Sequence, residues 1–312
     1  MTNQEITKDE LSLLIKLAKK VLWCDRATKQ AIQKHGIHII PARFYSEIPT
    51  IEEVKNSFEY RDLEKGPFNS EKIFDQKKMI HFLEEIQIYA DEFDPPEFGD
   101  LDSPKSFFWK NPAFSYSDAM AYYCIIRHFK PNQILEIGSG YSTLVASKAL
   151  QKNGNGNLVL IEPYPKPFLH QISEVKNIVT KFIQDIPISE LLGYTDNSDI
   201  VFIDSTHTVK NGSDCLYIYL KMLPEIKKDV IVHTHDVKLP FPFDSDQIID
   251  KHITWTEQYL LYAYMLDNPK VEVLFSSIYF YKFFPKETKK LMRGKYPGGG
   301  ASIWYSLKGS LN

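Results

Sequence analysis

The stretch Gln133-Ile134-Leu135-Glu136-Ile137-Gly138-Ser139-Gly140-Tyr141-Ser142-Thr143 decides the fold. A short apolar run ends at an acid, two glycines follow, and residues 144–150 continue with apolar periodicity. That order predicts a buried strand, a tight turn and a helix N-terminus. Gly138 and Gly140 let the backbone turn sharply and approach a ligand closely, because no Cβ stands in the way.

Working outward, the same alternation continues downstream. Strands are expected at 133–137, 157–161, 178–183, 199–203 and 229–233, with two late ones at 271–275 and 302–306. Helices are expected at 117–129, 142–151, 167–175, 210–223 and 254–266. Short β-branched runs between helices predict an α/β fold, a doubly wound Rossmann-like sheet of seven strands. In such sheets ligands bind beyond the carboxyl ends of the strands. Glu136, Glu162, Asp185, Asp204 and Asp236 fall at or just past five successive ends.

Upstream the pattern differs. Residues 10–34 carry a helical apolar stripe that stops at Gly36, and 37–40 form a short β-prone run. A small helix is expected at 51–54 and a longer one at 71–89. Residues 93–112 are rich in proline and aspartate and hold Phe107, Phe108 and Trp109, which suits a linker or lid. The chain therefore divides into an N-terminal helical region with its linker, 1–112, and a sheet domain, 113–312.

Whole-chain properties narrow the function. Of 312 residues, 43% are hydrophobic and 25% charged, and the net charge of −3 gives no reason to expect nucleic acid. Cys24, Cys124 and Cys215 are widely spaced and suit reduced thiols in a cytoplasmic protein better than a disulfide framework. No charged-then-apolar leader opens the chain and no run of ~18 apolar residues occurs, so no membrane partner is expected.

The acids select among cofactors. A dinucleotide turn wants a third glycine for close helix packing, where this chain has Thr143. Glu136 would also repel a diphosphate, and it suits a ligand with positive charge. Glu162, about 20 residues past the turn, is placed for ribose hydroxyls. The residues lean toward a cationic nucleoside without phosphate. A nicotinamide-dependent oxidoreductase and a non-catalytic nucleoside-binding module are the alternatives.

The set Glu136–Thr143, Ile161-Glu162-Pro163 and Phe202-Ile203-Asp204-Ser205-Thr206-His207, with His233-Thr234-His235-Asp236 and Gly298-Gly299-Gly300, resembles class I S-adenosylmethionine-dependent methyltransferases. More narrowly it is similar to the Methyltransferase-24 type, which includes macrocin O-methyltransferase-like enzymes; the resemblance covers about residues 114–305. It implies that Gly138, Ser139 and Gly140 pass under the methionine part of the cofactor, with Tyr141 and Ser142 opening the helix beside them. Glu136 then lies near the ammonium, Glu162 holds the ribose and Gln184-Asp185-Ile186 meet the adenine edge. Ser117 and Asp118 close over the methionine end or simply cap their helix.

Methyl transfer to a hydroxyl of a small molecule also needs the proton removed, by a tuned base or by a metal. The resemblance implies Asp204, His235 and Asp236 as ligands of a divalent ion. The histidine suits manganese, iron or zinc at least as well as magnesium. The metal-free route uses His207 or His235 as base, beside Asp204. His233 is expected to be a core histidine. The loop 238–243 is either a pocket wall or an ordinary loop with buried phenylalanines, and the glycine run 298–300 either an anion cradle or a turn. Homodimerisation is left open.

Overall fold

The computed structural model describes residues 5–114 and 116–309. Seven strands form one sheet: β1 (Gln133–Ile137), β2 (Asn157–Ile161), β3 (Val175–Val179), β4 (Ile200–Ile203), β5 (Val230–Thr234), β6 (Val271–Ser276) and β7 (Ile303–Leu307). Their order is β3-β2-β1-β4-β5-β7-β6. The first five run parallel, and β7 enters antiparallel between β5 and β6. The winding direction reverses between β1 and β4, the topological switch point where such sheets open a crevice. The register places Ile137 beside Ile161 and Ile203, so the next residues of β1, β2 and β4 share one edge.

The central strands are buried on both faces, and β4 has no exposed position. Their sequences are continuous apolar runs for that reason. One continuous core holds the sheet, the helix Tyr116–Phe129 and the helix Tyr141–Asn153. Phe93, Phe107, Phe108 and Trp109 belong to it, at 1–3% exposure. The segment 93–112 is thus packed structure: Phe93 stacks on Tyr123 at 4.6 Å, and Trp109 meets Tyr296 at 4.5 Å.

Several expected boundaries shift. The stripe at 10–34 is two helices, Lys8–Leu22 and Arg26–Gln33, because Asp25 caps the second by accepting from Thr28 N at 3.0 Å. Neither helix has a buried residue. The run 37–40 forms no strand, since no neighbouring strand satisfies its backbone. The helix expected at 71–89 starts only at Gln76, capped by Asp75. The third strand lies earlier than expected, and 183–185 is a single 3-10 turn. The helix expected from 210 begins at Asp214 and loosens into a π turn over Ile218–Met222. Ser277–Phe283 and Pro285–Leu291 are helices that the sequence reading did not find. Their aromatic and lysine-rich stretches have no clear period on so short a span.

Candidate functional site

The switch-point turn is built as tightly as its glycines allow. Gly138 has φ +81°, and a Cβ there would stand 2.2 Å from the Asp204 carbonyl oxygen. Only glycine combines that conformation with that approach. Gly140, in contrast, faces open space: an added Cβ would meet nothing within 4 Å. Glu162 steadies the turn from β2, accepting from Ser139 N at 3.1 Å and from Tyr164 N at 2.9 Å.

Glu136 is fully buried at the end of β1. It accepts hydrogen bonds from the Tyr122 hydroxyl at 2.9 Å and the Thr143 hydroxyl at 2.5 Å. Burial pushes its carboxyl up to about 7, against the pull of those donors. Ser139 Oγ at the turn and Gln184 Oε1 beyond β3 are buried without any protein partner. Asp185, the neighbour of Gln184, is exposed. Two orphaned polar atoms and a roomy glycine on one sheet edge are what a bound polar ligand would complete.

A second group gathers past β4 and β5. Oxygens of Asp204 and Asp236 and a ring nitrogen of His207 all lie within 4.8 Å of one another. His207 Nε2 stands 3.2 Å from Asp204 and 3.5 Å from Asp236. Its Nδ1 is 2.8 Å from Glu257 Oε2. Glu257 is 1% exposed and also accepts from Ser205 Oγ at 2.7 Å and Tyr219 Oη at 3.0 Å. The imidazole is therefore held on one side by Glu257 and turned with Nε2 toward the two aspartates. His207 and Asp236 adopt φ of +58° and +51°, a left-handed conformation that costs roughly 1–3 kcal/mol per residue. Such strain gathers where a side chain must point one way for function.

Charge in this group is set by neighbours. Burial opposes ionisation of Asp204, yet His235 and His207 hold it far below the usual carboxylate range. Burial pulls His207 down, but its hydrogen bonds to Asp204 and Glu257 outweigh that and bring it up to about 10. Burial raises Asp236, against the pull of the two histidines.

His235 is placed differently from His207. It is buried, with Nε2 3.5 Å from Asp118 and Nδ1 3.5 Å from Asp204, and Nδ1 makes no well-formed hydrogen bond. The histidine that closes the trio with Asp204 and Asp236 is His207. His233 is a core residue: it stacks on Phe202 at 4.0 Å, its Nε2 meets Ser302 Oγ at 2.8 Å, and burial depresses its pKa.

Ser117 and Asp118 engage the C-terminal glycine run. Ser117 Oγ accepts from Gly299 N at 3.1 Å, and Asp118 accepts from Ala301 N and Ser302 N, both at 3.0 Å. A Cβ at Gly300 would stand 2.3 Å from Asp118 Oδ1. The two residues after the glycine run thus hold the Asp118 carboxyl, and Gly300 leaves the room for it. Ser117 is 1% exposed and tied into the same clasp. Loop 238–243 is likewise packed, with Leu239 fully buried and Pro240 O accepting from Phe68 N at 3.1 Å. Two roomy clefts, about 600 and 670 Å3, flank residues 94–96 and include none of the strand-end acids. Glu257 is the site residue that sequence reasoning missed; it lies fifty positions from His207, inside an aromatic-rich helix.

A family model described as a methyltransferase domain matches residues 135–237, from β1 to just past β5. An uncharacterized protein of Archaeoglobus fulgidus is 34% identical over 167 residues, covering 48% of this chain and 70% of that protein. Similar solved structures include the SAH-bound methyltransferase PaMTH1 of Podospora anserina, 16% identical with a TM-score of 0.38 over 74% of this chain and 88% of that one. Another is the O-methyltransferase TomG of Streptomyces achromogenes in complex with SAM, 17% identical with a TM-score of 0.37 over 73% and 90%.

Proposed function

The chain belongs to the class I S-adenosylmethionine-dependent methyltransferases of the Methyltransferase-24 type, and from that premise we propose that it methylates a hydroxyl of a small molecule. The observation that supports the hydroxyl is the trio Asp204, His207 and Asp236, whose two carboxylates and imidazole converge within 4.8 Å of one another. Residues 113–312 form the catalytic domain in this reading, and 1–112 an accessory region.

S-adenosylmethionine, when bound, supplies an electrophilic methyl group on a sulfonium. Gly138, Ser139 and Gly140 would hold its methionine part, with the unpartnered Ser139 hydroxyl as one contact. Glu136, a buried carboxyl that accepts from two hydroxyls, would stand near the ammonium, and Glu162 would take the ribose. Gln184, with its own orphaned oxygen, would meet the adenine beside Asp185.

At the acceptor side, His207 Nε2 points between Asp204 and Asp236 while Glu257 holds Nδ1. Two carboxylates and one imidazole fit a divalent ion of mixed oxygen and nitrogen preference, such as manganese, iron or zinc. Such an ion would lower the hydroxyl pKa. Without one, Asp204 and the protonated His207 orient the hydroxyl, and Asp236, whose carboxyl burial raises, takes its proton. Orientation of the acceptor oxygen toward the methyl group supplies much of the rate in either case.

The test is differential scanning fluorimetry with S-adenosylhomocysteine and with NAD, followed by a screen of hydroxylated acceptors with radiolabelled donor. A rise in Tm with the homocysteine nucleoside alone, and label on an oxygen, supports the reading. Stabilisation by NAD alone favours an oxidoreductase. Cofactor binding with no acceptor labelled favours a binding module.

A further inference from the structure

A cavity of about 180 Å3 lies between residues 47–60 and residues 248–259, and Trp255 links it to the trio. The Trp255 ring stands 4.6 Å from the His207 ring and also lines this cavity. Tyr60 and Tyr259 add two more aromatic walls, and Glu47, Glu53 and Glu59 bring three carboxylates. No lysine, arginine or histidine lines it. The tyrosine hydroxyls are committed elsewhere: Tyr60 donates to Phe243 O at 2.9 Å and Tyr259 to Glu59 at 2.5 Å. Glu53 accepts from Thr50 N and Oγ1 and Glu59 from Tyr259, so a guest meets aromatic surface and three carboxylates with no cation among the described lining residues.

We propose that this cavity binds the ammonium group of the acceptor, so that the substrate is a hydroxylated amine. The inference rests on the methyltransferase reading and adds the substrate class to it. Aromatic rings attract cations through their negative faces, and quaternary or alkylated ammonium groups are the usual guests of such cages. Neighbouring carboxylates strengthen the attraction because nothing within the lining neutralises them. The volume is below the ~300–1,000 Å3 of a complete small-molecule pocket, which fits one polar head of a larger acceptor. Trp255 is the shared wall: the ammonium rests on one side and the hydroxyl reaches Asp204 and His207 on the other. The placement also gives the N-terminal region a task, since Tyr60 and all three glutamates come from residues 47–60.

Choline is a suitable probe, compared with its uncharged carbon isostere in ligand-observed NMR titrations of the whole chain. Choline is expected to bind at least roughly tenfold more tightly than the isostere, the discrimination a cation–aromatic contact provides. Glu59→Gln and Trp255→Leu should each weaken choline several-fold, and Glu47→Gln, an exposed change, should weaken it less. S-adenosylhomocysteine binding to the same variants reports that they are folded. Equal binding of choline and isostere, or binding of neither, overturns the proposal while leaving the methyltransferase reading intact. Choline binding by a chain that ignores S-adenosylhomocysteine overturns the cavity's role in holding an acceptor.

Discussion

Glu136 and Asp204 stand at the ends of adjacent parallel strands, Glu136 fully buried and Asp204 with a side chain 37% exposed, and their charges go opposite ways. Glu136 meets two neutral hydroxyls, so burial wins and its pKa rises to about 7. Asp204 is flanked by His207 and His235, so attraction wins over burial and it stays ionised far into acid. Depth in the sheet edge does not decide the charge; the chemistry of the nearest donors does. Near neutral pH the carboxyl at the end of β1 is therefore partly protonated, while the one past β4 sits in a lattice of opposite charges.

The largest effect expected from breaking this contrast is at Asp204. Replacement by Ala removes a member of the trio, and methyl-transfer kcat should fall by about two to four orders of magnitude. An assay with a screened acceptor and saturating donor checks it, and retention of activity would displace Asp204 from the chemistry.

At Glu136 the comparison can be sharpened through pH. Its pKa is 4.5 unfolded and about 7 folded, so the folded state binds the extra proton between those values. Its contribution to stability is complete below 4.5 and is lost as pH rises through about 7. The loss is about 3 kcal/mol by linkage. Glu136→Gln should therefore gain stability relative to the native chain as pH goes from 5 to 8. Urea denaturation across that range measures the slope, and parallel curves would refute the raised pKa. Asp204 has the reverse sign: its contribution is present above 3.8 and is lost only far into acid.

Glu257→Gln should produce the smallest of the three effects. Losing the carboxylate on His207 Nδ1 is expected to weaken divalent-ion affinity by roughly 10–100-fold, the usual cost of an outer-shell partner. Equilibrium dialysis with manganese or zinc tests it. Unchanged affinity would mean that the ion, if held, does not use His207.

Much of the catalytic domain was legible because its signal is local. Buried parallel strands need continuous apolar runs, and a ligand-facing edge puts acids at or just past their ends, so β1, β2 and β4 could be located with Glu136, Glu162 and Asp204. β3 was misplaced, because its half-exposed strand Val175–Val179 carries Lys176 and Asn177 and blurs the run. The helices at 277–291 were missed for a similar reason, being too short to show a period. Ser117 and Gly298–Gly300 could be named but not paired, since their contact spans almost the whole domain.

The amino-acid order alone determined the alternating fold, the glycine turn and the row of strand-end carboxylates, because each follows from backbone geometry within a few residues. Which ring nitrogen each histidine turns to the aspartates, and how closely, was decided only by the tertiary structure. His207 and His235 follow similar strand ends, and nothing adjacent in sequence distinguishes them. A buried glutamate from a distant helix holds the Nδ1 of His207 and leaves Nε2 to the aspartates, whereas His235 is held on Nε2 by Asp118 and turns Nδ1 to the same aspartates at 3.5 and 3.8 Å. That choice depends on packing between segments far apart in the chain, where sequence spacing carries no information.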